Sequence, residues 1–190
     1  MPHFKKLAGD KCYLSPMTIE DAGAQAYWEN DLAIAIPLGD EAFNLVSWEK
    51  MREQVDGALR SQAHMFSIVD LATDMLIGRC MLFAVDHINR SAMLGMMIGE
   101  REFQGQGYGQ EATRLLLDYA FNLLNLNSVR LGVFAFNAPA LACYRKVGFR
   151  EVGRHREFRI IAGRKYDMVL MDMLAAEFTG GWVSQQLPSL

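Results

Sequence analysis

The chain has 190 residues and a formal net charge of -3 at pH 7, with 51% hydrophobic and 22% charged residues. This length suits one domain with a sizeable core, and the mildly acidic balance excludes a nucleic-acid-binding protein that works by bulk positive charge. No stretch approaches the ~18 apolar residues of a membrane span, and the first residues lack the apolar run of a signal peptide. We therefore expect a cytoplasmic protein that binds neither nucleic acid nor membrane.

The cysteine and histidine residues show no metal-ligand spacing. The three cysteines are far apart and form no C-x-x-C pair, so neither a zinc site nor a disulfide framework is indicated. We expect reduced thiols and no metal. The residues concerned are Cys12, Cys80, Cys143, His3, His64, His87 and His155.

The first third of the chain has the pattern of helices. A helix is predicted directly after Thr18, with Asp21 three residues later as a capping-box acid. Pro37 then breaks the pattern. A second helix is predicted over 47–62 with Ser47 as its N-cap, because apolar residues follow at helical spacing.

The middle of the chain has the pattern of strands. Runs of β-prone residues predict strands over 64–70, 75–85 and 92–100. An amphipathic helix follows a group of glycines, and a further strand is predicted over 128–136.

The last third combines a short helix with a β-hairpin. Pro139 lies in the first turn of the helix, Gly148 ends it, and the hairpin turns near Gly163. The order α, α, β, β, β, α, β, α, β, β mixes antiparallel hairpins with a strand–helix–strand crossover, so the expected class is α+β. We expect one domain over 1–175 and a short tail over 176–190.

The stretch QGQGYG, residues 104–109, opens the amphipathic helix and raises the question of a ligand. A glycine loop at a helix start exposes backbone N–H groups beside the positive end of the helix dipole, and this arrangement binds phosphate groups. A P-loop is excluded because no Lys-Ser or Lys-Thr follows, and the dinucleotide fingerprint fails because position 110 is Gln. The pattern Q/R-x-x-G-x-G/A is satisfied by Gln104, Gly107 and Gly109. A glycine-rich helix start without a ligand is the alternative.

Two blocks together resemble the GNAT family of N-acetyltransferases. Gln104–Gly109, after a strand that ends in Gly99–Glu100, is similar to the family's acetyl-CoA loop. Asn137–Phe149 is similar to its N-x-x-A-x-x-x-Y-x-K-x-G-F block. The hairpin residues 163–171 resemble the branch that includes ribosomal-protein N-terminal acetyltransferases and spermidine acetyltransferases. The resemblance covers about residues 10–175.

The resemblance implies a GNAT-like domain with helices on both faces of a mixed, mostly antiparallel sheet. The sheet would splay between two parallel central strands, 92–99 and 128–136, and the pantetheine arm of acetyl-CoA would pair with strand backbone in that opening. Backbone N–H groups of the glycine loop would hold the pyrophosphate. The implied cofactor-binding residues are Met97, Ile98, Gln104, Gly105, Gln106, Gly107, Tyr108, Gly109, Asn137 and Tyr144.

Direct attack of an amine on the thioester needs a base, an oxyanion donor and a proton for the departing thiolate. Tyr144 matches the family position for the last role, and a phenol with a reference pKa near ~10 carries a proton at neutral pH. A backbone N–H near Ile98 is the expected oxyanion donor. Glu100 is the candidate base, directly or through water, with a solvated acidic turn as the alternative. Asn137 is explained equally well as a helix N-cap, and the side chains of Met97 and Ile98 as core strand residues. A packed tyrosine on a short helix is the alternative for Tyr144.

The resemblance also implies that the first helices and the last hairpin shape the acceptor pocket. Carboxylates and aromatic rings there would suit a cationic amine, so a polyamine such as spermidine and a protein N-terminus are the two expected acceptors. Solvated surface acids are the alternative explanation, and a non-catalytic acyl-CoA or amine sensor is the alternative function. A homodimer is also expected. The residues concerned are Glu20, Asp21, Glu29, Asp31, Asp40, Glu41, Glu49, Trp28 and Trp48.

Overall fold

The computed structural model describes residues 3–61, 63–186 and 188; the parts of the predicted domain and tail at 1, 2, 62, 187, 189 and 190 lie outside them. The strands are β1 (Leu7–Ala8), β2 (Cys12–Pro16), β3 (His64–Asp70), β4 (Leu76–Asp86), β5 (Ser91–Ile98), β6 (Ser128–Phe134), β7 (Arg150–Ile161) and β8 (Arg164–Leu174). The helices are α1 (Ala22–Asn30), α2 (Leu32–Ala35), α3 (Trp48–Arg60), α4 (Tyr108–Asp118), α5 (Ala138–Val147) and α6 (Trp182–Gln185).

The strands form one mixed sheet in the order β1-β2-β3-β4-β5-β6-β8-β7. Every pair of neighbours is antiparallel except β5 and β6, which are parallel. Their pairing covers Ser91, Ala92 and Met93 of β5 and extends no further among the described residues. Beyond Met93 the two strands diverge, so the predicted α+β fold with a sheet splayed between two parallel strands is confirmed.

Helices pack on both faces of the sheet, as predicted. Successive residues of a strand point to opposite faces. Met96 and Ile98 of β5 pack against the main core, which includes residues of α4 and α5. Met97 lies between them in the chain and packs with Trp28 of α1 and Ile34 of α2. The α1–α2 layer therefore covers the face opposite to α4 and α5.

The prediction that the first third is helical is wrong for residues 7–16. Leu7, Cys12 and Leu14 are buried and belong to β1 and β2. The β2 strand is held by antiparallel pairing with β3, more than fifty positions later in the chain. Such pairing overrides local pattern because strand preference depends mainly on neighbouring strands. The prediction for α3 is confirmed, since the side chain of Ser47 accepts a hydrogen bond from the Lys50 N–H at 3.2 Å.

The C-terminal segment packs against the sheet and its helices. Val183 of α6 is buried in the main core, and its N–H donates to the buried carboxylate of Asp118 at 2.9 Å. The rings of Phe178 and Phe121 lie 5.5 Å apart. None of the helices within the described ranges is both long and apolar enough to cross a membrane.

Candidate active site

The glycine loop leaves the start of α4 open. Gly105 and Gly107 adopt positive φ angles of 73° and 94°, which favour glycine. The first hydrogen bond of the helix joins the Glu111 N–H to the Gly107 carbonyl at 3.1 Å, and no side chain caps this end. The N–H groups of residues 108–110 therefore have no partner within the helix, which is the arrangement that binds anionic groups.

Side chains of the loop fix its position relative to the sheet. The Gln104 amide donates to the Ile98 carbonyl at 2.8 Å, which ties the loop to the end of β5. The Gln106 amide donates to the Glu102 carbonyl. The Tyr108 hydroxyl donates to Asp70 at 2.7 Å, and this hydrogen bond raises the pKa of Tyr108 to about 12. The side chains of Gln104, Gln106 and Tyr108 thus shape the loop.

A carboxylate in the first turn of α4 holds the helix against the β1–β2 turn. Glu111 accepts hydrogen bonds from the backbone N–H groups of Lys11 at 2.7 Å and Cys12 at 3.0 Å. A Cβ at Gly9 in this turn would lie 2.1 Å from the Glu111 carboxylate, so a side chain there would displace that carboxylate. Sequence reasoning missed this contact, whose partners lie about a hundred residues apart.

A cavity of about 730 Å³ lies along the open side of β5 and is bounded by the glycine loop, α2 and α5. It brings together eight of the predicted site residues: Met97, Ile98, Gln104, Gly105, Gly107, Gly109, Asn137 and Tyr144. The predicted residues Gln106, Tyr108 and Glu100 are not among its lining residues. The rest of its wall is formed by Leu32, Ala33, Ile34, Ile36, Pro37, Leu38, Met96, Phe103, Gln110, Phe136, Pro139, Ala140, Ala142, Cys143 and Lys146.

The backbone of Ile98 faces the open side of β5. In this antiparallel pair the Gly99 N–H donates to the Ile77 carbonyl of the neighbouring strand at 2.8 Å. Because successive residues of a strand direct their N–H and carbonyl groups to opposite edges, those of Ile98 point away from β4. The hydrogen bond from Gln104 to the Ile98 carbonyl agrees with this direction.

Tyr144 and Cys143 of α5 contribute a hydroxyl and a thiol to the cavity wall. Tyr144 is buried, and burial raises the pKa of its hydroxyl well above the usual value. Burial also raises the pKa of Cys143 to about 11, against an opposing effect of Lys146. Both groups are therefore protonated at neutral pH.

Asn137 has two structural contacts. Its Oδ1 accepts a hydrogen bond from the Ala140 N–H at 3.2 Å and caps α5. Its Nδ2 donates to the Pro37 carbonyl at 3.1 Å, across 100 residues of chain. Asn137 thus ties the segment after α2 to the start of α5, and residues of both segments line the same cavity.

Glu100 is held by an indole. The Trp28 Nε1–H donates to Glu100 Oε1 at 3.0 Å. The Trp28 ring is fully buried and occupies the space beside Gly99, where a Cβ would lie 2.1 Å from the ring. Trp28, which the sequence suggested as a face for a cationic substrate, therefore fills the core and orients Glu100.

Most of the acids expected around the acceptor already have partners. Arg79 binds Glu29 at 2.6 Å and Glu41 at 3.4 Å. Two further ion pairs join Arg101 to Asp31 at 2.6 Å and Arg159 to Asp40 at 2.7 Å. Asp21 accepts hydrogen bonds from Ser67 and Thr18 and contacts His3. Glu20 and Glu49 are exposed. None of these acids is among the lining residues of the cavity.

Comparisons with known proteins identify the family. Residues 11–150 match the model of the acetyltransferase (GNAT) domain. The chain is 30% identical to the uncharacterized N-acetyltransferase p20 of Bacillus licheniformis over 90% of this chain and 97% of that protein. It is 31% identical to the spermidine N(1)-acetyltransferase of Vibrio cholerae over 70% of this chain and 76% of that protein.

A solved structure shares the fold and carries ligands. The spermidine N-acetyltransferase from Vibrio cholerae, crystallised with CoA and spermine, superposes with a TM-score of 0.79 and 28% identity. The match covers 87% of this chain and 96% of that chain. The chain described here therefore belongs to the GNAT acetyltransferase family and is an N-acetyltransferase that transfers the acetyl group of acetyl-CoA to an amine.

Proposed function

We propose that the cleft between β5 and β6 is the acetyl-CoA site and that a primary amine attacks the thioester directly there. The observation that carries the proposal is the convergence of three features on one cavity. These are the uncapped start of α4, the unpaired edge of β5 and the buried hydroxyl of Tyr144. Of the two acceptor classes predicted from the sequence, the geometry favours a peptide N-terminus over a polyamine.

The residues present fit the donor. Acetyl-CoA supplies an activated acyl thioester when bound. The free N–H groups of residues 108–110 would hold its pyrophosphate. Gly109 has no side chain at this point. An added Cβ would lie at the cavity wall, 3.6 Å from Cys143 and 3.8 Å from Met96. The Ile98 N–H faces the open edge of β5, where it would stabilise a developing oxyanion.

Tyr144 is the proposed proton donor to the departing thiolate. Its raised pKa keeps the hydroxyl protonated through neutral pH, so it can donate. Cys143 is close by, but its pKa of about 11 keeps it a thiol, and the thiolate is the nucleophilic form. The amine is therefore proposed to attack directly, without an acetyl-cysteine intermediate.

The acceptor argument begins with the absence of a base from the cavity wall. Among the residues that the structure describes, no Asp, Glu or His lines the cavity, so the amine must lose its proton largely by itself or through water. At pH 7 an α-amine with a pKa of 7.7–8.0 is neutral roughly 300 times more often than a lysine-like amine with a pKa near 10.4. The cavity also offers no carboxylate to a polycation. A peptide N-terminus satisfies both conditions.

Spermidine is the second candidate, supported by the similarity to the Vibrio cholerae enzymes. Glu100 is proposed as a base that acts through water, since it lies at the end of β5 outside the cavity wall. A homodimer and a cytoplasmic location stay predictions, which light scattering and cell fractionation test.

Release of free CoA thiol from acetyl-CoA tests the proposal across short peptides, amino-acid amides, spermidine and spermine. We expect saturable release with peptides and amides. Tyr144→Phe should lower kcat by about 100-fold, as for loss of a general acid, while the Kd for CoA stays unchanged because the phenyl ring still packs against Phe149. Binding of acetyl-CoA without release for any amine would instead support a sensor, and an unaltered kcat in Tyr144→Phe would remove the proposed proton donor.

A further inference from the structure

An arginine from the last hairpin is enclosed by aromatic rings beside the cavity. The Arg159 guanidinium carbon lies 5.0 Å from the centre of the Phe43 ring, 5.2 Å from that of Phe134 and 5.9 Å from that of Phe158. Only 17% of its side chain is exposed. The planar guanidinium is thus fixed by stacking and cation–π contacts. We call Arg159, Phe43, Phe134 and Phe158 the arginine cage.

Most N–H groups of the Arg159 guanidinium have no hydrogen-bond partner among the described residues. It carries five N–H groups, and within the described part of the chain it forms one hydrogen bond, from Nη2 to Asp40 at 2.7 Å. Its Nε is buried without a partner. A buried arginine with one partner adds little to stability, and N–H groups without a protein partner can donate to another molecule.

Two contacts link the arginine cage to the wall of the cavity. The ring of Phe134 stacks on that of Phe136 with centres 5.4 Å apart, and Phe136 lines the cavity. Asp40, the partner of Arg159, comes two residues after Leu38, which also lines the cavity. The cage residues are not among the described lining residues, so the cage would contact a part of the acceptor that stays outside the cavity.

The described residues of the cavity wall include Lys146 and no Asp or Glu, which disfavours a polycation there. The positive charge of Arg159 is largely enclosed, whereas its partner Asp40 is 83% exposed and screened by solvent. The acid pairs around α1 and α2 leave no carboxylate on the cavity wall to offset it. A guanidinium with free donors suits a carbonyl or carboxylate oxygen instead.

We infer that Arg159 is a specificity-determining residue that binds an oxygen of the acceptor and selects amines that carry a carbonyl or carboxylate group, as peptides and amino acids do, against polyamines. This inference rests on the proposed function, because it assumes that the amine enters the cavity described above. It assigns to the arginine cage the recognition of an oxygen-bearing group of the acceptor outside the cavity.

A pair of acceptors that differ by one oxygen-bearing group tests the inference. Leucinamide has a carbonyl beside its amine, and isopentylamine has the same branched chain without it. The ratio of kcat/KM for the two is measured in the unmodified enzyme, in Arg159→Gln and in Arg159→Lys. Because the amine pKa values are the same in every assay, their difference cancels when ratios are compared between variants.

We expect Arg159→Gln to lower this ratio by about 10- to 100-fold, as for loss of one hydrogen bond to a charged group, and to raise kcat/KM for spermidine. Arg159→Lys should be intermediate, since it keeps the charge and loses the planar fork. Arg164→Gln is the matched control, because it removes the same charge from an exposed position on the same hairpin. It should change neither quantity.

Asp40→Asn separates recognition from a purely structural role. It weakens the ion pair but leaves the guanidinium in the cage, so the acceptor ratio should stay the same or rise. Loss of selectivity in Asp40→Asn equal to that in Arg159→Gln, or an unchanged ratio in folded Arg159→Gln, would overturn the inference. In both cases the unmodified enzyme still acetylates amines, whereas failure of the proposed function would appear as no release with any amine.

Discussion

The proposed donor side and the proposed acceptor side of the cavity are built in different ways. The donor side uses backbone groups of one short segment, with glycines at 105, 107 and 109 and free N–H groups at the start of α4. The acceptor side uses side chains from distant segments. Asn137 reaches Pro37 across 100 residues, and Arg159 reaches Asp40 across 119.

This difference separates the part of the site that suits a ligand common to the family from the part whose selectivity can vary. A site made of backbone N–H groups depends on local conformation and on the absence of side chains, so it suits a ligand common to the whole family. A site made of side-chain pairs changes its selectivity with a few substitutions. Similarity to a spermidine acetyltransferase therefore supports the donor more strongly than the acceptor.

The largest expected effect follows from filling the donor side. Gly109 has no positive φ, and an added Cβ would meet the surrounding atoms at ordinary contact distance. Gly109→Ala should therefore stabilise α4 by up to about 1 kcal/mol. It should also weaken acetyl-CoA binding by about 10- to 100-fold for each charge-assisted hydrogen bond it displaces. Calorimetric titration with CoA measures the loss.

Gly57→Ala is the control for that change. Gly57 lies in α3 with no atom within 4 Å of its added Cβ, so the substitution gives the same gain in helix stability and leaves CoA affinity unaltered. If Gly109→Ala bound CoA normally, the donor would not occupy the start of α4. The claim that one side of the cavity binds its ligand through backbone groups would then be wrong.

The residues predicted for the donor side are contiguous in the sequence. The motif at Gln104, Gly107 and Gly109 and the block that contains Tyr144 each form one local element, and the structure places both on the same cavity. Loop conformation and helix start follow from local rules.

The acceptor side could not be predicted in the same way. The acids of α1 and its neighbours were visible in the sequence, but their partners Arg79, Arg101 and Arg159 lie far away in the chain. Four of these acids form ion pairs with arginines, with Glu29 and Glu41 sharing Arg79, and composition does not show such pairing. The short strands β1 and β2 were missed for the same reason, because partners distant in sequence stabilise them.

A smaller effect is expected at Glu100, which lies just after β5 and outside the cavity wall. Glu100→Gln keeps an oxygen that accepts the hydrogen bond from Trp28 and removes the basic carboxylate. If Glu100 takes the proton through water, kcat/KM for a peptide should fall about tenfold at pH 7, below the usual range for a general base in direct contact. The loss should disappear near pH 9, because an α-amine with a pKa near 8 is then already neutral.

The pH dependence distinguishes this role from a structural one. A variant that only disturbs the packing of Trp28 would lose the same fraction of activity at every pH and would melt at a lower temperature. Trp28→Phe provides that comparison, since it removes the indole N–H and keeps the carboxylate. Loss of activity in Glu100→Gln that is equal at pH 7 and pH 9 would exclude Glu100 as the base.

The smallest effect is expected at Asn137, whose two hydrogen bonds serve the two sides separately. Asn137→Ser keeps an oxygen that caps α5 but is too short to reach the Pro37 carbonyl, 3.1 Å from the present Nδ2. The free energy of unfolding should fall by about 1 kcal/mol for the lost hydrogen bond to Pro37, with no further loss from the cap, because Ser caps helices nearly as well as Asn. KM for the peptide should rise a few-fold while the Kd for CoA stays constant, since only the α2 side of the cavity is released.

Asn137→Ala loses the cap as well and should cost about 1 kcal/mol more than Asn137→Ser in chemical denaturation. An equal rise in both constants for Asn137→Ser would mean that the segment after α2 holds the donor too, and the two sides of the cavity would then be one site.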